Sequence, residues 1–402
     1  MSEGPLAGVR VIDLTSVVFG PMAAQSLGDM GADVVKVEAP EGDFLRTLGP
    51  MRSPGMGAMF LNLNRNKRSI ALDLKRPEGR AALQRLIAGA DVFIHNVRPG
   101  GLKRLGLDWA SLREAAPRLV HVSLTGFASG GPYADRPALD DVIQAACGMS
   151  DLAARLGGPG TPPSEMPSIA ADKTSAVAAV GAVAAALFRR ERTGQGLEVE
   201  VPMLETMTAW TLADHLAGHV FDPPMGPIGY DRALEKDRRP YPSADGYVAL
   251  LPTTVPQYRR AFEVLGRPDL AAEPRLSDTA WRIAERPRLR AAIAAVTPTR
   301  PTAEWVEVMA RAEVPCLPVN RLEDLVHDPH LQAVGFFQSH DHPTEGRLTA
   351  TQPPLRFDGE PGDLRLPVPR LGEHAAEVLA EAGLTPTEVE ALFASGACLR
   401  PA

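Results

Sequence analysis

The chain has 402 residues, of which 45% are hydrophobic, 23% charged and 5% aromatic. This composition supplies apolar side chains for about two to four domains and excludes general disorder, which requires few apolar residues and a high net charge. The formal net charge of −7 argues against a nucleic-acid-binding protein, which would carry an excess of Lys and Arg. A small anionic ligand needs only a local group of positive charges, so this class stays open.

The sequence favours a protein of a reducing compartment. No segment reaches the roughly 20 apolar residues of a membrane-spanning helix, and the best candidate, residues 176–188, is predicted to be a buried helix. The first residues lack the basic, apolar and small-residue segments of a secretory signal. Cys147, Cys316 and Cys398 are widely spaced, which argues against a disulfide framework or a zinc site. We therefore expect a cytoplasmic protein with no bound metal and no membrane contact.

Short apolar runs alternate with helical patterns over the first third of the chain. The runs at 9–14, 33–38, 69–74, 91–95 and 119–124 are typical of strands, and 21–31 and 77–87 are predicted helices. This alternation indicates βαβ units and a mainly parallel sheet.

The pattern changes after about residue 223. Proline-rich loops surround a predicted strand at 246–251 and predicted helices at 257–265 and 302–312, and two more helical patterns follow at 373–382 and 385–394. We expect an α/β fold with a large Rossmann-like domain (1–220), a smaller α+β domain (225–325) and a C-terminal return to the large domain (330–402).

Common nucleotide and hydrolase motifs are missing. The sequence has no GxGxxG after its first strand, no GxxxxGK[ST] and no GxSxG, which argues against a nicotinamide oxidoreductase, a nucleotide triphosphatase and an α/β-hydrolase. Two basic groups near strand ends offer phosphate sites or ordinary solvated charge. They are Arg65, Lys67 and Arg68, and Arg98, Lys103 and Arg104.

Asp172 stands where a loop enters the Ala- and Val-rich helix. An Asp here is typical of a helix N-cap, which accepts hydrogen bonds from free N–H groups. A carboxylate at this place also suits a nucleophile that attacks an acyl carbon beside the positive end of a helix. The residue pattern alone leaves both roles open.

Seven segments, taken together and in order, resemble the class III CoA-transferases, the CaiB/BaiF family. They are residues 5–14, 31–38 with 42–46, 66–74, 96–100, 193–196, 314–319 and 371–374. The resemblance implies an interlocked homodimer, coenzyme A or an acyl-CoA as substrate with no permanently bound cofactor, and a carboxylic acid as second substrate.

The resemblance also implies site residues. It identifies Asp172 as the nucleophile that takes the acyl group from acyl-CoA as a mixed anhydride, with CoA held as a thiolate or an enzyme thioester before it passes to the acceptor acid. The family pattern places CoA contacts at Val18, Phe19, Leu72, Lys75, Asn96, Val97, Arg98 and Arg104. Arg136 and Asp140 match a segment that contacts the substrate.

The sequence departs from the family pattern at Leu139, where many transferases have Tyr and the related 2-methylacyl-CoA racemases have a His. No histidine lies between His121 and His215, so proton exchange by two bases lacks one partner. A racemase and a CoA-ester-binding protein without activity stay as alternatives. Residues 225–325 show no glycine-rich flap. The candidates for recognition of the acid are His215, Tyr230, Arg238, Arg239 and Tyr241.

Overall fold

The computed structural model describes residues 4–401 and contains two compact units. The larger unit comprises the chain up to Ala153, Pro162–Asp214 and the chain from Ala333 onward, and the smaller comprises Ala154–Thr161 and His215–Gln332. The predicted ranges 1–220, 225–325 and 330–402 stay a prediction, and residues 1–3 and 402 lie outside the described chain.

Each strand is followed by one or more helices as far as residue 215. They are β1 (Arg10–Leu14), α1 (Phe19–Asp29), β2 (Asp33–Glu38), α2 (Ala58–Leu63), β3 (Lys67–Ala71), α3 (Pro77–Ala88), β4 (Val92–His95), α4 (Pro99–Leu105), α5 (Trp109–Leu112), β5 (Val120–Thr125), α6 (Asp140–Ala146), α7 (Met149–Gly157), α8 (Ala170–Thr193), β6 (Leu197–Pro202) and α9 (Met203–His215).

Shorter elements follow. They are β7 (Tyr241–Pro242), β8 (Tyr247–Leu250), α10 (Val255–Val264), α11 (Pro268–Ala271), α12 (Thr279–Ala284), α13 (Arg286–Val296), α14 (Thr302–Arg311), β9 (Cys316–Pro318), α15 (Pro329–Ala333), β10 (Phe337–His342), β11 (Gly346–Thr351), β12 (Arg356–Phe357), β13 (Glu360–Pro361), α16 (Ala375–Glu381) and α17 (Pro386–Ser395).

The larger unit contains a six-stranded sheet in the order β3-β2-β1-β4-β5-β6. All five strand pairs are parallel, which confirms the predicted parallel sheet. The strand order reverses between β1 and β4, and open α/β sheets bind ligands beyond the carboxyl ends of their strands at such a reversal. The sheet therefore places a crevice beside the loops that follow β1 and β4.

Apolar side chains cover both faces of this sheet, as a parallel sheet requires. On one face Leu27 of α1 and Val183 of α8 belong to the same buried cluster as Val122 of β5. On the other face Leu83 of α3 and Leu379 of α16 belong to the same buried cluster as Phe93 of β4. The segment after Ala333 thus completes the larger unit by packing α16 and α17 on its sheet.

Buried ion pairs link β1, β2 and β3. Lys67 Nζ lies 2.9 Å from Asp13 Oδ2, and both side chains are fully buried. Lys36 Nζ lies 3.0 Å from Asp43 Oδ2 and donates to the carbonyl oxygen of Thr15. Asp13 and Lys67 therefore join the first and third strands of the chain through a charged contact inside the core.

Neither interpretation of the Arg65, Lys67 and Arg68 group, a phosphate site or solvated charge, agrees with the structure, because all three residues are buried. Arg65 forms a two-pronged ion pair with Asp29, and Arg68 contacts Asp33, Glu377 and Glu381. The structure uses these cations, like Lys67, to hold segments of the chain together, because each meets a carboxylate that is distant in sequence.

Helix α8 differs from its prediction. It spans 24 residues, and the side chains of Val177 and Phe188 are exposed by 67% and 65%. The predicted burial of residues 176–188 is therefore correct for one face only. Within residues 4–401, α8 is the single helix with the length and composition of a candidate membrane span, and 39% of its most apolar window is buried.

The smaller unit contains helices and a three-stranded antiparallel sheet in the order β7-β8-β9. Its core includes Phe262 of α10 and Trp305 of α14, both at most 1% exposed. Trp305 Nε1 donates to the carbonyl oxygen of Thr297 at 2.7 Å, which satisfies the indole inside an apolar core.

Candidate active site

The loop after β1 has a fixed backbone. Asp13 Oδ1 accepts from the N–H of Thr15 at 3.0 Å, and the carboxylate of Asp43 accepts from the N–H of Val17. Val17 has a φ of 69°, an uncommon conformation for a β-branched residue that is found at binding sites. A Cβ at Gly20 would lie 2.2 Å from Cβ of Thr15, so the start of α1 requires glycine there.

The loop after β4 is tied to the loop after β1. Asn96 Nδ2 donates to the carbonyl oxygen of Ser16 at 2.9 Å, and Asn96 Oδ1 accepts from the N–H of Ser16 at 3.1 Å. These two bonds join the loops at the reversal of strand order. The side-chain amide of Asn96 therefore has a structural role in addition to its predicted contact with CoA.

A cavity of about 380 Å³ lies at the carboxyl ends of the strands in the larger unit. Its walls come from the loops after β1 and β4, the end of β5, the segment before α6, and the starts of α8 and α9. The lining residues are Ser16–Phe19, Asn96–Pro99, Leu124–Gly126, Ala134, Arg136–Leu139, Asp172 and Met203. Its position agrees with the general rule for ligand sites in open α/β sheets.

Asp172 is the third residue of α8, and the N-cap is Ile169. This corrects the prediction that Asp172 lies in the preceding loop. Among residues 4–401, no group donates a hydrogen bond to its carboxylate, so its side chain does not cap the helix. The backbone N–H of Asp172 instead donates to Asp140 Oδ2 at 2.9 Å.

Asp140, at the start of α6, thus satisfies an amide at the start of α8. Its other oxygen accepts from Gln144 Nε2, and this amide nitrogen also donates to the carbonyl oxygen of Ser168 at 3.0 Å. Gln144 Oε1 accepts from the N–H of Met166 at 2.9 Å. Asp140 and Gln144 therefore hold the segment before α8 and leave the carboxylate of Asp172 unengaged.

The surroundings of Asp172 disfavour its charged form. Burial raises the pKa of this carboxyl, and the nearby charge of Asp140 raises it further, to about 7. The side chain is nevertheless part of the cavity wall. A ligand in the cavity therefore meets a carboxylate that is poorly solvated and that no hydrogen bond stabilises, which makes it a stronger nucleophile than an exposed aspartate.

Two guanidinium groups line the same cavity. Arg98 and Arg136 are exposed, and neither forms an ion pair or a side-chain hydrogen bond with another residue between 4 and 401. Arg136 lies over the ring of Tyr133 at 4.4 Å, which limits its orientation. Both are available to a carboxylate or phosphate.

The structure brings together most of the predicted site. Asp172 shares the cavity with six of the other predicted residues, and Asp140 contacts Asp172 directly. The six are Val18, Phe19, Asn96, Val97, Arg98 and Arg136. Leu72 is buried in a bridge with Cys398, and Lys75 and Arg104 are exposed outside the cavity lining. Contact of these three residues with CoA stays a prediction.

The cavity wall also contains residues outside the predicted set, among them Thr125, Gly126 and Met203. A Cβ at Gly126 would lie 2.3 Å from Cβ of Ala138, so glycine allows the two wall segments to approach. The buried hydroxyl of Thr125 has no hydrogen-bond partner in the described chain, and Met203 joins the wall from the start of α9. In the sequence, only the predicted end of a strand at residue 124 indicated that this part of the chain contributes to the cavity.

Comparison with known proteins identifies the family. The model of CoA-transferase family III matches residues 6–375. The chain belongs to CoA-transferase family III. This confirms the resemblance seen in the sequence and the prediction of a transferase.

Relatives of named activity match nearly the whole chain. The succinate–glutarate CoA-transferase of Agrobacterium fabrum is 35% identical over 386 residues, which cover 94% of this chain and 95% of the relative. The human succinyl-CoA:glutarate CoA-transferase is 30% identical over 387 residues, covering 94% and 86%. A crystal structure of a CaiB/BaiF family protein from Brucella suis has 32% identity and a TM-score of 0.78, and the match covers 95% of this chain and all of that one.

Proposed function

We propose that this family III CoA-transferase moves CoA from an acyl-CoA donor to a carboxylic acid, with Asp172 as the nucleophile. The carboxylate of Asp172, which faces the cavity without a hydrogen bond from the described chain, carries this proposal. The names of the relatives support CoA transfer between carboxylic acids.

The proposed steps need only the exchange of acyl bonds. An oxygen of Asp172 attacks the thioester carbonyl of the donor, the C–S bond breaks, and a mixed anhydride and the CoA thiolate result. The thiolate attacks the aspartyl carbonyl and releases the donor acid, which leaves CoA as a thioester on Asp172. The acceptor carboxylate then attacks the aspartyl thioester carbonyl, the C–S bond breaks, and a new anhydride and the CoA thiolate result. The thiolate attacks the acyl carbon of the acceptor, which releases the product and the free aspartate.

These steps consume no net proton, so no histidine is needed beside Asp172. The α8 N-terminus provides positive potential for the oxyanions that form at each attack. The described lining of the cavity contains no histidine, and the racemase position is occupied by Leu139, which is 67% exposed. This observation disfavours the racemase alternative, which requires a second proton-transfer group.

We also propose that the acids are dicarboxylates. Several relatives are named for transfer between dicarboxylic acids, among them succinate and glutarate. In this chain one carboxylate of such an acid would react at Asp172 while the other pairs with Arg136 or Arg98. Arg136→Gln should then raise KM for glutarate on the order of tenfold and leave KM for butyrate unchanged; equal effects on both acids would argue against this pairing.

We propose that the homodimer implied by the family resemblance forms through the exposed face of α8. Val177, Gly181, Ala184 and Phe188 follow each other at helical spacing on this face and are exposed, and an unpaired apolar stripe of this kind is typical of an interface. Light scattering should give twice the chain mass for the wild type and one chain mass for Val177→Glu/Phe188→Glu. Arg189→Glu, beside the stripe, should remain dimeric.

Trapping of the intermediates tests the central proposal. Hydroxylamine added during turnover should form a hydroxamate on the peptide that contains Asp172. Asp172→Ala and Asp172→Asn should lose transfer by a factor on the order of 10⁴ or more, because no other group can form the acyl bond, while CoA binding persists.

Asp141 provides the matched control, since it is an exposed carboxylate one residue after Asp140. Asp141→Ala should retain transfer and labelling at Asp172. Normal turnover by Asp172→Ala would overturn the mechanism. CoA binding without any turnover in the wild type would favour the alternative of a binding protein without activity.

The cytoplasmic location inferred from the sequence remains a proposal. The cysteines Cys147, Cys316 and Cys398 are free thiols, as in proteins of reducing compartments. Cell fractionation tests it, and recovery of the protein with membranes would contradict it.

A further inference from the structure

The smaller unit contains a second cavity, of about 280 Å³, whose wall is basic. Four arginines line it, and its described lining includes no Asp or Glu. The arginines are Arg232, Arg282, Arg286 and Arg290. Three tyrosines, Tyr230, Tyr241 and Tyr258, share the wall with them.

Arg286 and Arg290 lie four residues apart on α13, and Arg282 belongs to the preceding helix, α12. Equal charges four residues apart on one helix destabilise it, so Arg286 and Arg290 require a group that neutralises them. Glu235 provides one carboxylate, which contacts both Arg286 and Arg290. The chain thus shows that a carboxylate fits between these two guanidinium groups, and it leaves one positive charge there in excess.

The other two arginines have no charged partner among the described residues. Arg282 donates only to neutral oxygens, the carbonyl of Leu276 and the hydroxyl of Thr279. Arg232 forms no hydrogen bond or ion pair with any residue in the range 4–401. The four guanidinium groups and Glu235 therefore leave a net charge of about +3 around a space that holds no protein atoms.

The rest of the wall suits a carbon skeleton. Leu250, Leu289 and Ile293 give it apolar surface. Burial raises the pKa of Tyr241 to about 12, against the opposing charge of Arg290, so its phenol remains a hydrogen-bond donor at neutral pH. The volume is at the lower end of the range for ligand pockets, which favours a small ligand.

We propose that this cavity binds a small di- or tricarboxylic acid of about four to six carbons. Arg232 and Arg282 pair with its carboxylates, and the tyrosine hydroxyls and apolar side chains contact its backbone. The site goes beyond the proposed transfer reaction, whose nucleophile belongs to the larger unit. Of the residues suggested for acid recognition, Tyr230 and Tyr241 lie here, whereas His215, Arg238 and Arg239 are outside the lining.

Calorimetric titration of the full-length protein with citrate and succinate tests this site. The titrated protein is a variant with Arg98→Gln and Arg136→Gln, which removes carboxylate binding beside Asp172. Addition of Arg232→Gln and Arg282→Gln should weaken the binding of citrate about tenfold or more, because two unpaired charges are lost. Arg288→Gln is the matched control, since Arg288 lies on α13 and is paired with Glu285; it should change the Kd by less than about twofold.

Three results would overturn the proposal. They are no measurable binding of either acid, equal weakening by Arg288→Gln, and binding of pyrophosphate or ADP that is much tighter than that of citrate, which would indicate a phosphate site instead. Transfer activity, measured separately with the Asp172 variants, can fail without changing these titrations, so the two proposals are distinguishable.

Discussion

Asp13 and Asp172 are both buried carboxylates of the larger unit, and they differ in what surrounds them. Although burial alone raises the pKa of Asp13, the ammonium groups of Lys67 and Lys36 hold it below its usual value. Asp172 has no cation among the groups that shift its pKa, which rises to about 7. The first carboxylate is held permanently as part of an ion pair, and the second is free to react. Burial alone therefore does not decide the role of a carboxylate; its partners do.

The largest effect is expected when the charge of Asp13 is removed. Asp13→Asn leaves Lys67 buried without its counter-charge, which should lower the free energy of unfolding by about 3–5 kcal/mol. Urea denaturation measures it. Asp33→Asn is the control, because Asp33 is 41% exposed beside Arg68, and its loss should cost less than about 1 kcal/mol. Equal losses would mean that the burial of the pair is unimportant.

The pH dependence of transfer tests whether the pKa of Asp172 is raised. Its reactive form is the carboxylate, which is populated above its pKa of about 7. Below this value kcat/KM should therefore fall about tenfold per pH unit. Stopped-flow detection of CoA release between pH 5 and 8 measures the pH at which this fall begins, the break in the pH profile. A flat profile over this range would contradict the raised pKa.

Removal of the neighbouring charge should shift this break. In Asp140→Asn the charge of Asp140 no longer opposes ionisation of Asp172, so the break moves to lower pH, on the order of one unit. Burial, the larger cause, remains and keeps the pKa above that of an exposed aspartate. Asp141→Asn, which removes an exposed charge from the same helix, should leave the break in place.

Removal of the ionisable group at position 172 should also increase stability. Because the pKa of Asp172 is raised in the folded chain, the folded state holds one more proton than the unfolded state between about pH 4 and 7, and stability falls as the pH rises through this window. Asp172→Asn removes this loss, so the variant should be more stable than the wild type at pH 8, by up to about 4 kcal/mol for a shift from 3.8 to about 7. The difference should vanish at pH 4, and thermal melts at both pH values measure it. A variant that is less stable at pH 8 would contradict the absence of a partner for this carboxylate.

The sequence predicted the buried strands of the sheet better than the edge strand β6. Strands buried on both faces are continuous apolar runs, and Asp33–Glu38 was predicted with its exact bounds. Strand β6, Leu197–Pro202, alternates charged and apolar residues, and it was not predicted because it is an edge strand with one exposed side. The hairpin of β10 and β11 was missed for a similar reason, since its residues are largely polar.

For the site, the family pattern located Asp172 and most of the residues around it, but not the hydrogen bonds that leave its carboxylate free. The two local interpretations, a helix cap and a nucleophile, differ only in whether another group satisfies the amide at the start of α8. That group is Asp140, 32 residues earlier. The same limitation explains the error at Arg65 and Arg68, whose carboxylate partners lie at least 35 positions away. Contacts between distant segments are not encoded in local spacing.

The left-handed backbone of Val17 has a thermodynamic consequence for the ligand. A β-branched residue in this conformation is disfavoured by about 1–3 kcal/mol, and the carboxylate of Asp43, itself ion-paired to Lys36, holds it in place. Folding of the chain fixes Val17 in this conformation, so the conformational cost is part of the folding free energy and not of ligand binding. We therefore expect the ordering of this loop to add little to the entropic cost of binding a CoA ester.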